Sequence, residues 1–240
     1  MPPLLEVEGL VKRFGGFTAL NRVSISVRAG ERFGLIGPNG SGKTTMINCV
    51  SGALQVDGGS IRFDGRDITR MAAHQRTRLG LVRSFQIPKP FSSMTVAQNL
   101  AIPLEYAAAG RSSSASESED IAEILRGMGL EPKKHLRPAG LTQIEMRKLE
   151  LARAMAARPK LLISDEAMAG LSSAEVDDIL AILFRLNQQG ITIIMIEHIM
   201  RAVMRFSERI VVLDAGERIA EGPPDEIVRN PAVEKAYLGE

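Results

Sequence analysis

Cysteine occurs once in the 240 residues, as Cys49. A lone thiol cannot build an intrachain disulfide framework, and a reducing, cytosolic setting is expected. Cys49 itself reads as a small buried hydrophobe. Charge of one sign is not in excess either. The formal net charge is +2, too small to argue for a nucleic-acid surface. Long apolar runs are missing as well. The greasiest stretch, Ile191–Met200, is interrupted by Glu197 and His198 and falls short of the roughly 18 to 20 residues that a spanning helix needs. The opening residues MPPLLEVEGL lack the basic and long apolar regions of a secretory signal. The expectation is a chain that neither spans a membrane nor leaves by that route, yet remains free to dock on a membrane protein. No internal repeat and no sustained heptad pattern occurs.

What is present is enough for one large domain with a sizeable core. LLEVEGL and VSISV alternate apolar and polar residues, and RFGLIG is a short apolar run ending in glycine. All three read as strands, as does GSIRFDG. Arg70–Leu79 has helical spacing, and LGLVRSFQ reads as a strand leaving it. MTVAQNLAIPLEYAAAG and SEDIAEILRGMGL read as helices, joined by the serine-rich GRSSSASESED, which reads as a solvated loop. LTQIEMRKLELARAMAARPK reads as a further helix. LLISDE reads as a buried strand ending in two acids. In the next helix Ser172 and Glu175 have the spacing of a capping box, with Gly190 as the stop. ITIIMIEH and RIVVLDAG complete an alternation of strands and helices. That pattern predicts a mostly parallel sheet covered by helices and interrupted by a helical insert.

Gly37-Pro38-Asn39-Gly40-Ser41-Gly42-Lys43-Thr44 fits G-x-x-x-x-G-K-[ST], between an apolar strand and a helix, and Thr45 follows. Glycines let backbone N–H groups curl around phosphates, and the helix N-terminus adds partial positive charge. Lys43 would reach the β- and γ-phosphates, and Thr44 would offer its hydroxyl to Mg²⁺. Far along the chain, LLISDE delivers Asp165 to the end of a strand, where ligands bind in open parallel sheets. Asp165 would hold Mg²⁺ largely through water. Glu166 is the candidate base for the attacking water. Two more polar residues follow strand-like runs. Gln86 would touch Mg²⁺ or that water, and His198 would contact the γ-phosphate and steady Glu166. Phe14 is either an adenine-stacking ring or a plain core phenylalanine. His74 and His135 lack partners in sequence and read as surface residues.

With those elements in order, the chain resembles, over essentially its whole length, the nucleotide-binding subunit of an ATP-binding cassette transporter. The resemblance implies an α/β fold with a P-loop NTPase (RecA-like) core of mostly parallel sheet, an N-terminal antiparallel β subdomain and an inserted helical subdomain. Residues 1–90 and 158–240 would form the nucleotide-binding core, and 91–157 the helical part. It implies Walker A at Gly37–Thr45, a Q-loop at Gln86, a signature at Leu141-Thr142-Gln143-Ile144-Glu145, Walker B at Leu161–Asp165, the catalytic Glu166 and the switch His198. It also implies ATP and Mg²⁺ as ligands, a head-to-tail dimer with a second ATP-binding subunit, transmembrane permease subunits as partners, and an external binding protein reached only through them. The site of work would be the cytoplasmic face of the membrane. Gln86, the segment Ile87–Met94 and the helical insert would touch the permease. KRFGGFTALNRVSISV, RSFQIPKPFSSMTVAQNLAI and the ending EGPPDEIVRNPAVEKAYLGE resemble, more narrowly, the ATP-binding subunits of branched-chain amino acid importers. No residue here selects the cargo.

The signature departs from the family pattern, which is usually Leu-Ser-Gly-Gly-Gln. Thr142 and Glu145 keep a capping-box spacing, so a helix can start there. Ile144 stands where glycine would let backbone approach phosphate, and Glu145 places a negative charge beside a polyanion. At ~4 Å such a pair costs on the order of 1–4 kcal/mol. A weak signature is expected, and with it pairing to a related but different subunit. Ala167 replaces a common proline, and Ser172, read as an N-cap, replaces a common aspartate. A nucleotide-dependent switch with little hydrolysis is the alternative reading. DNA-repair and chromosome ATPases fit poorly, since they carry long coiled coils.

Overall fold

A computed structural model describes residues 2–84, 89–108 and 114–238. Strands β1 (Leu5–Phe14) and β2 (Phe17–Val27) form a hairpin, and β3 (Arg32–Ile36) runs into α1 (Lys43–Ser51). Then come β4 (Gly58–Phe63), β5 (Arg66–Asp67), α2 (Ala73–Arg78) and β6 (Leu81–Ser84). Helices α3 (Val96–Ala108), α4 (Ser114–Met128) and α5 (Gln143–Ala156) follow, before β7 (Leu161–Asp165) and α6 (Ser173–Gln188). The chain continues as β8 (Thr192–Ile196), α7 (Met200–Phe206), β9 (Arg209–Asp214), β10 (Glu217–Gly222), α8 (Pro224–Val228) and α9 (Pro231–Leu238).

The strands build two sheets. One is antiparallel, in the order β2-β1-β4-β5, and the other has the order β10-β9-β3-β8-β7-β6. In the second all neighbours are parallel except the edge strand β10. Period-two alternation sorts the central strands between two cores. Phe33, Leu35, Leu161, Ile163, Ile194, Ile196, Val211 and Leu213 face α1 and the antiparallel sheet. Ile36, Leu162, Ile193, Met195, Ile210 and Val212 face the helices. The runs LLISD and TIIMI are buried on both faces, so their apolar residues are continuous rather than alternating. Helices α3, α4 and α5 share the second core with the sheet, through Leu100, Leu125 and Leu149. Cys49 is buried, and burial pushes its thiol up to about 11. His74 and His135 are exposed.

Two elements differ from the sequence reading. The second half of GRSSSASESED is helical: α4 begins at Ser114. Glu117 in its first turn complements the positive end of the helix, which outweighs the weak helix propensity of serine. The helix expected over Arg70–Leu79 is shorter, Ala73–Arg78, because Ala72 is extended (φ −66°, ψ 150°) and serves as its N-cap; within it Arg76 is turned inward. Its guanidinium is buried and donates to Cys49 O and Val50 O at 2.7 Å, Met71 O at 2.9 Å and Thr69 O at 3.1 Å. Two of those carbonyls end α1, where a cation is favoured. Arg76 therefore anchors the antiparallel-sheet side of the molecule to the far end of the helix that starts at the phosphate loop. Replacing Arg76 by leucine leaves the Val50, Met71 and Thr69 carbonyls without this donor, Cys49 O keeping only Gly52 N, and should cost about 2–4 kcal/mol, read as a lower urea midpoint, with Arg76→Lys losing less.

Candidate functional site

The loop between β3 and α1 is held by contacts that admit only glycine at two places. Gly37 has φ 152° and Gly42 has φ 105°. A Cβ on Gly37 would stand 2.1 Å from Leu213 O, and one on Gly42 would stand 2.8 Å from Ala19 O and 3.0 Å from Leu20 Cδ2. The loop is thus pressed against the end of β9 and the β1–β2 hairpin. Ser41 is buried, and its carbonyl accepts from Gly216 N at 3.0 Å. Gly42 caps α1 without a side-chain acceptor, so the first N–H groups of the helix are available to an anion. Lys43 is buried and folds back, its Nζ donating to Gly37 O at 2.6 Å and Pro38 O at 2.9 Å. Burial lowers its pKa, against the opposing pull of Glu166 and Asp165. Asn39 and Gly40 are exposed, Thr44 is exposed and Thr45 half-buried.

Adjacent strand ends bring the acids to this loop. Asp165 closes β7 and accepts from Arg83 of β6, through Nη2 at 2.5 Å and Nε at 3.2 Å. Arg83 also donates to Asn48 Oδ1 of α1 at 2.6 Å. Neither Arg83 nor Asn48 was a candidate from sequence. A charged residue inside an otherwise buried strand was the available signal for Arg83. Glu166 takes a left-handed conformation, φ 49°, uncommon for a side chain of its size. Its Oε1 lies 3.0 Å from His198 Nε2. The sequence-derived pair of Glu166 and His198 therefore meets across the ends of β7 and β8. The oxygen donors offered by Thr44 and Asp165 suit a hard cation such as Mg²⁺. Gln86 lies outside the described residues.

Phe14 ends β1 at the hairpin turn and is 48% exposed, with Lys12 Nζ 5.4 Å from its ring centroid. It belongs to neither core, so the core alternative falls. The signature residues need a correction. Glu145 does not present a bare charge: Lys133 Nζ donates to it at 2.7 Å and Thr142 N at 2.9 Å, while Thr142 Oγ1 accepts from Glu145 N. Lys133 chiefly holds its pKa below the usual value. The electrostatic penalty expected of Glu145 is thereby reduced. Ile144 packs on the helix-side core alongside Leu141, and Gln143 lies against Gly170. Arg147 donates to Ala169 O at 3.1 Å, tying α5 to the turn that follows Glu166. Ser172 caps α6 as expected.

Glu197, noted in sequence only as a break in an apolar run, is the other acid of the site. It is 2% exposed and accepts from Met168 N at 2.9 Å. Burial, helped by the charges of Glu166 and Asp165, pushes its carboxyl up to about 7. The folded chain then keeps a proton that the unfolded chain releases above 4.5. The stability this group contributes is full below that pH, declines as pH rises and is gone above about 7, a span of about 3 kcal/mol. Urea midpoints at pH 5 and pH 8 should therefore differ more in the wild type than in Glu197→Gln.

The family model described as ABC transporter matches residues 20–169, and one described as Branched-chain amino acid ATP-binding cassette transporter matches residues 217–240. The chain is 39% identical to the high-affinity branched-chain amino acid transport ATP-binding protein BraF of Pseudomonas aeruginosa, covering 99% of this chain and 98% of BraF. It is also 39% identical to the probable branched-chain amino acid transport ATP-binding protein LivG of Archaeoglobus fulgidus, over 98% of this chain and 95% of that protein. Among solved structures it matches an ATP-binding cassette of an ABC transporter in its ADP conformation, with a TM-score of 0.89, 33% identity and all of both chains covered. A nucleotide-free cassette matches with a TM-score of 0.88 at 33% identity, over 99% of this chain and 100% of that one.

Proposed function

The chain belongs to the ABC transporter family, and on that premise we propose that it powers an importer of branched-chain or related amino acids by hydrolysing ATP. The observation that carries the chemistry is the meeting of Glu166 and His198, 3.0 Å apart, beside the glycine-built loop that holds Lys43. The phosphates of ATP would lie on backbone N–H groups of the loop between Asn39 and Thr45, their charge met by Lys43, and Phe14 would stack on the adenine. Thr44 and Asp165, with Gln86, would hold Mg²⁺, which when bound withdraws charge from the phosphate oxygens. Glu166 takes a proton from the attacking water as that oxygen bonds to the γ-phosphorus and the β–γ bridge breaks. His198 keeps the Glu166 carboxylate turned toward that water. Arg83 would hold the Asp165 carboxylate in place through its two hydrogen bonds until the metal arrives.

Among the described residues no helix is long and apolar enough to cross a membrane. The chain would therefore act as a peripheral subunit on the inner face, bound to transmembrane permease subunits and reaching an external binding protein only through them. Residues 91–157 would be the helical subdomain, moving relative to the core of 1–90 and 158–240 as two ATP-binding subunits close on nucleotide and part after hydrolysis. The packing of Ile144 against the core leaves no glycine at the signature, which favours a heterodimer. Walker A, Glu166 and His198 of this chain would meet an intact signature on the partner, while Leu141–Glu145 would serve a slower site.

Glu166→Gln should lower turnover by orders of magnitude while ATP still binds; a nucleotide switch with little hydrolysis would barely respond. In the assembled transporter, the double change Ile144→Gly and Glu145→Gln should raise ATP turnover, and an unchanged rate would refute the asymmetry.

A further inference from the structure

We propose that Glu197 is a positioning residue for hydrolysis, its buried carboxyl oxygen latching the turn that carries Glu166 to the strand end that carries His198. Three hydrogen bonds lace these two segments. Glu166 N donates to Ile196 O at 2.9 Å, Met168 N donates to Glu197 Oε1 at 2.9 Å, and His198 Nε2 lies 3.0 Å from Glu166 Oε1. The first two grip the backbone at Glu166 and two residues beyond it. Between them the chain passes through the left-handed conformation of Glu166, φ 49°, which persists only where surrounding contacts over-determine it.

Burial makes this latch hard to replace. Ala167, Met168 and Glu197 are all buried, so water cannot easily take over as acceptor for the Met168 N–H. Without the carboxyl oxygen, the turn has reason to reset, and Glu166 would lose its approach to His198. The phosphate loop is fastened elsewhere, by Leu213, Ala19 and Gly216. Loss of Glu197 should therefore reach turnover and spare nucleotide binding. The titratable groups around this carboxyl are Asp165 and Glu166 at the end of β7 and the neighbouring His198, with Lys43 of α1 drawn electrostatically to the two acids.

The inference rests on Glu166 as the base, and turnover of Mg-ATP together with equilibrium binding of ATP by the full chain tests it. Glu197→Ala should lower kcat about tenfold or more while the Kd for ATP moves less than about twofold, and Glu197→Gln, which keeps an acceptor for Met168 N–H, should recover kcat to within about threefold of wild type. The role is overturned if Glu197→Ala turns over like wild type. It is overturned equally if kcat and ATP affinity fall together, or if Glu197→Gln is as impaired as Glu197→Ala. Should Glu197→Ala fail to fold, Glu197→Asp, one methylene shorter, must lower kcat at unchanged Kd, and an unaltered kcat rejects the latch. Glu166→Gln separates the two failures. If it leaves turnover intact, the base assignment fails; if it abolishes turnover while Glu197→Ala spares it, only the latch fails.

Discussion

The ladder joining β3, β8 and β7 is the constraint on which the site depends. Gly34 pairs with Met195, Asp165 pairs with Ile196, and all three strands run the same way. Their carboxyl ends therefore emerge side by side, and each releases one functional segment: the phosphate loop after Ile36, Glu166 after Asp165, and His198 after Ile196. A slip of one residue in any pair would turn Asp165 or its neighbours to the opposite face. Burial of both faces of β7 and β8 makes such a slip expensive, because every side chain in them already has a packed partner.

On this frame, charge is arranged in opposition. Asp165, Glu166 and Glu197 gather at the strand ends, and Lys43 and Arg83 approach from α1 and β6. Arg83 sits on Asp165, and Lys43 turns to the carbonyls of its own loop. A triphosphate would compete with those carbonyls for Lys43, and its metal would compete with Arg83 for Asp165. Glu197 escapes the cost of a third buried charge in another way, by holding a proton up to about pH 7. A buried carboxyl flanked by two carboxylates is more stable neutral.

The signature region shows how a departure from a family pattern changes meaning in three dimensions. Read as letters, Glu145 opposes a phosphate. In the fold it closes a capping box with Thr142 and is met by Lys133. Ile144 keeps its significance, because no neighbour can restore the backbone access that a glycine would give. The tie from Arg147 to Ala169 links this helix to the turn after Glu166.

Glycine spacing between a strand and a helix, an apolar run ending in Asp165-Glu166, and the capping boxes at Thr142 and Ser172 were all legible by eye, because each is a local rule about backbone conformation or short-range hydrogen bonding. Tertiary structure decided the rest. That Arg83 rather than solvent faces Asp165, that Arg76 turns inward to end α1, and that Glu197 accepts from the turn after Glu166 all depend on contacts between residues far apart in the chain. No periodicity encodes such contacts. They exist only once parallel strands are stacked in register, and burial then removes the water that would otherwise have satisfied each of these polar groups on its own.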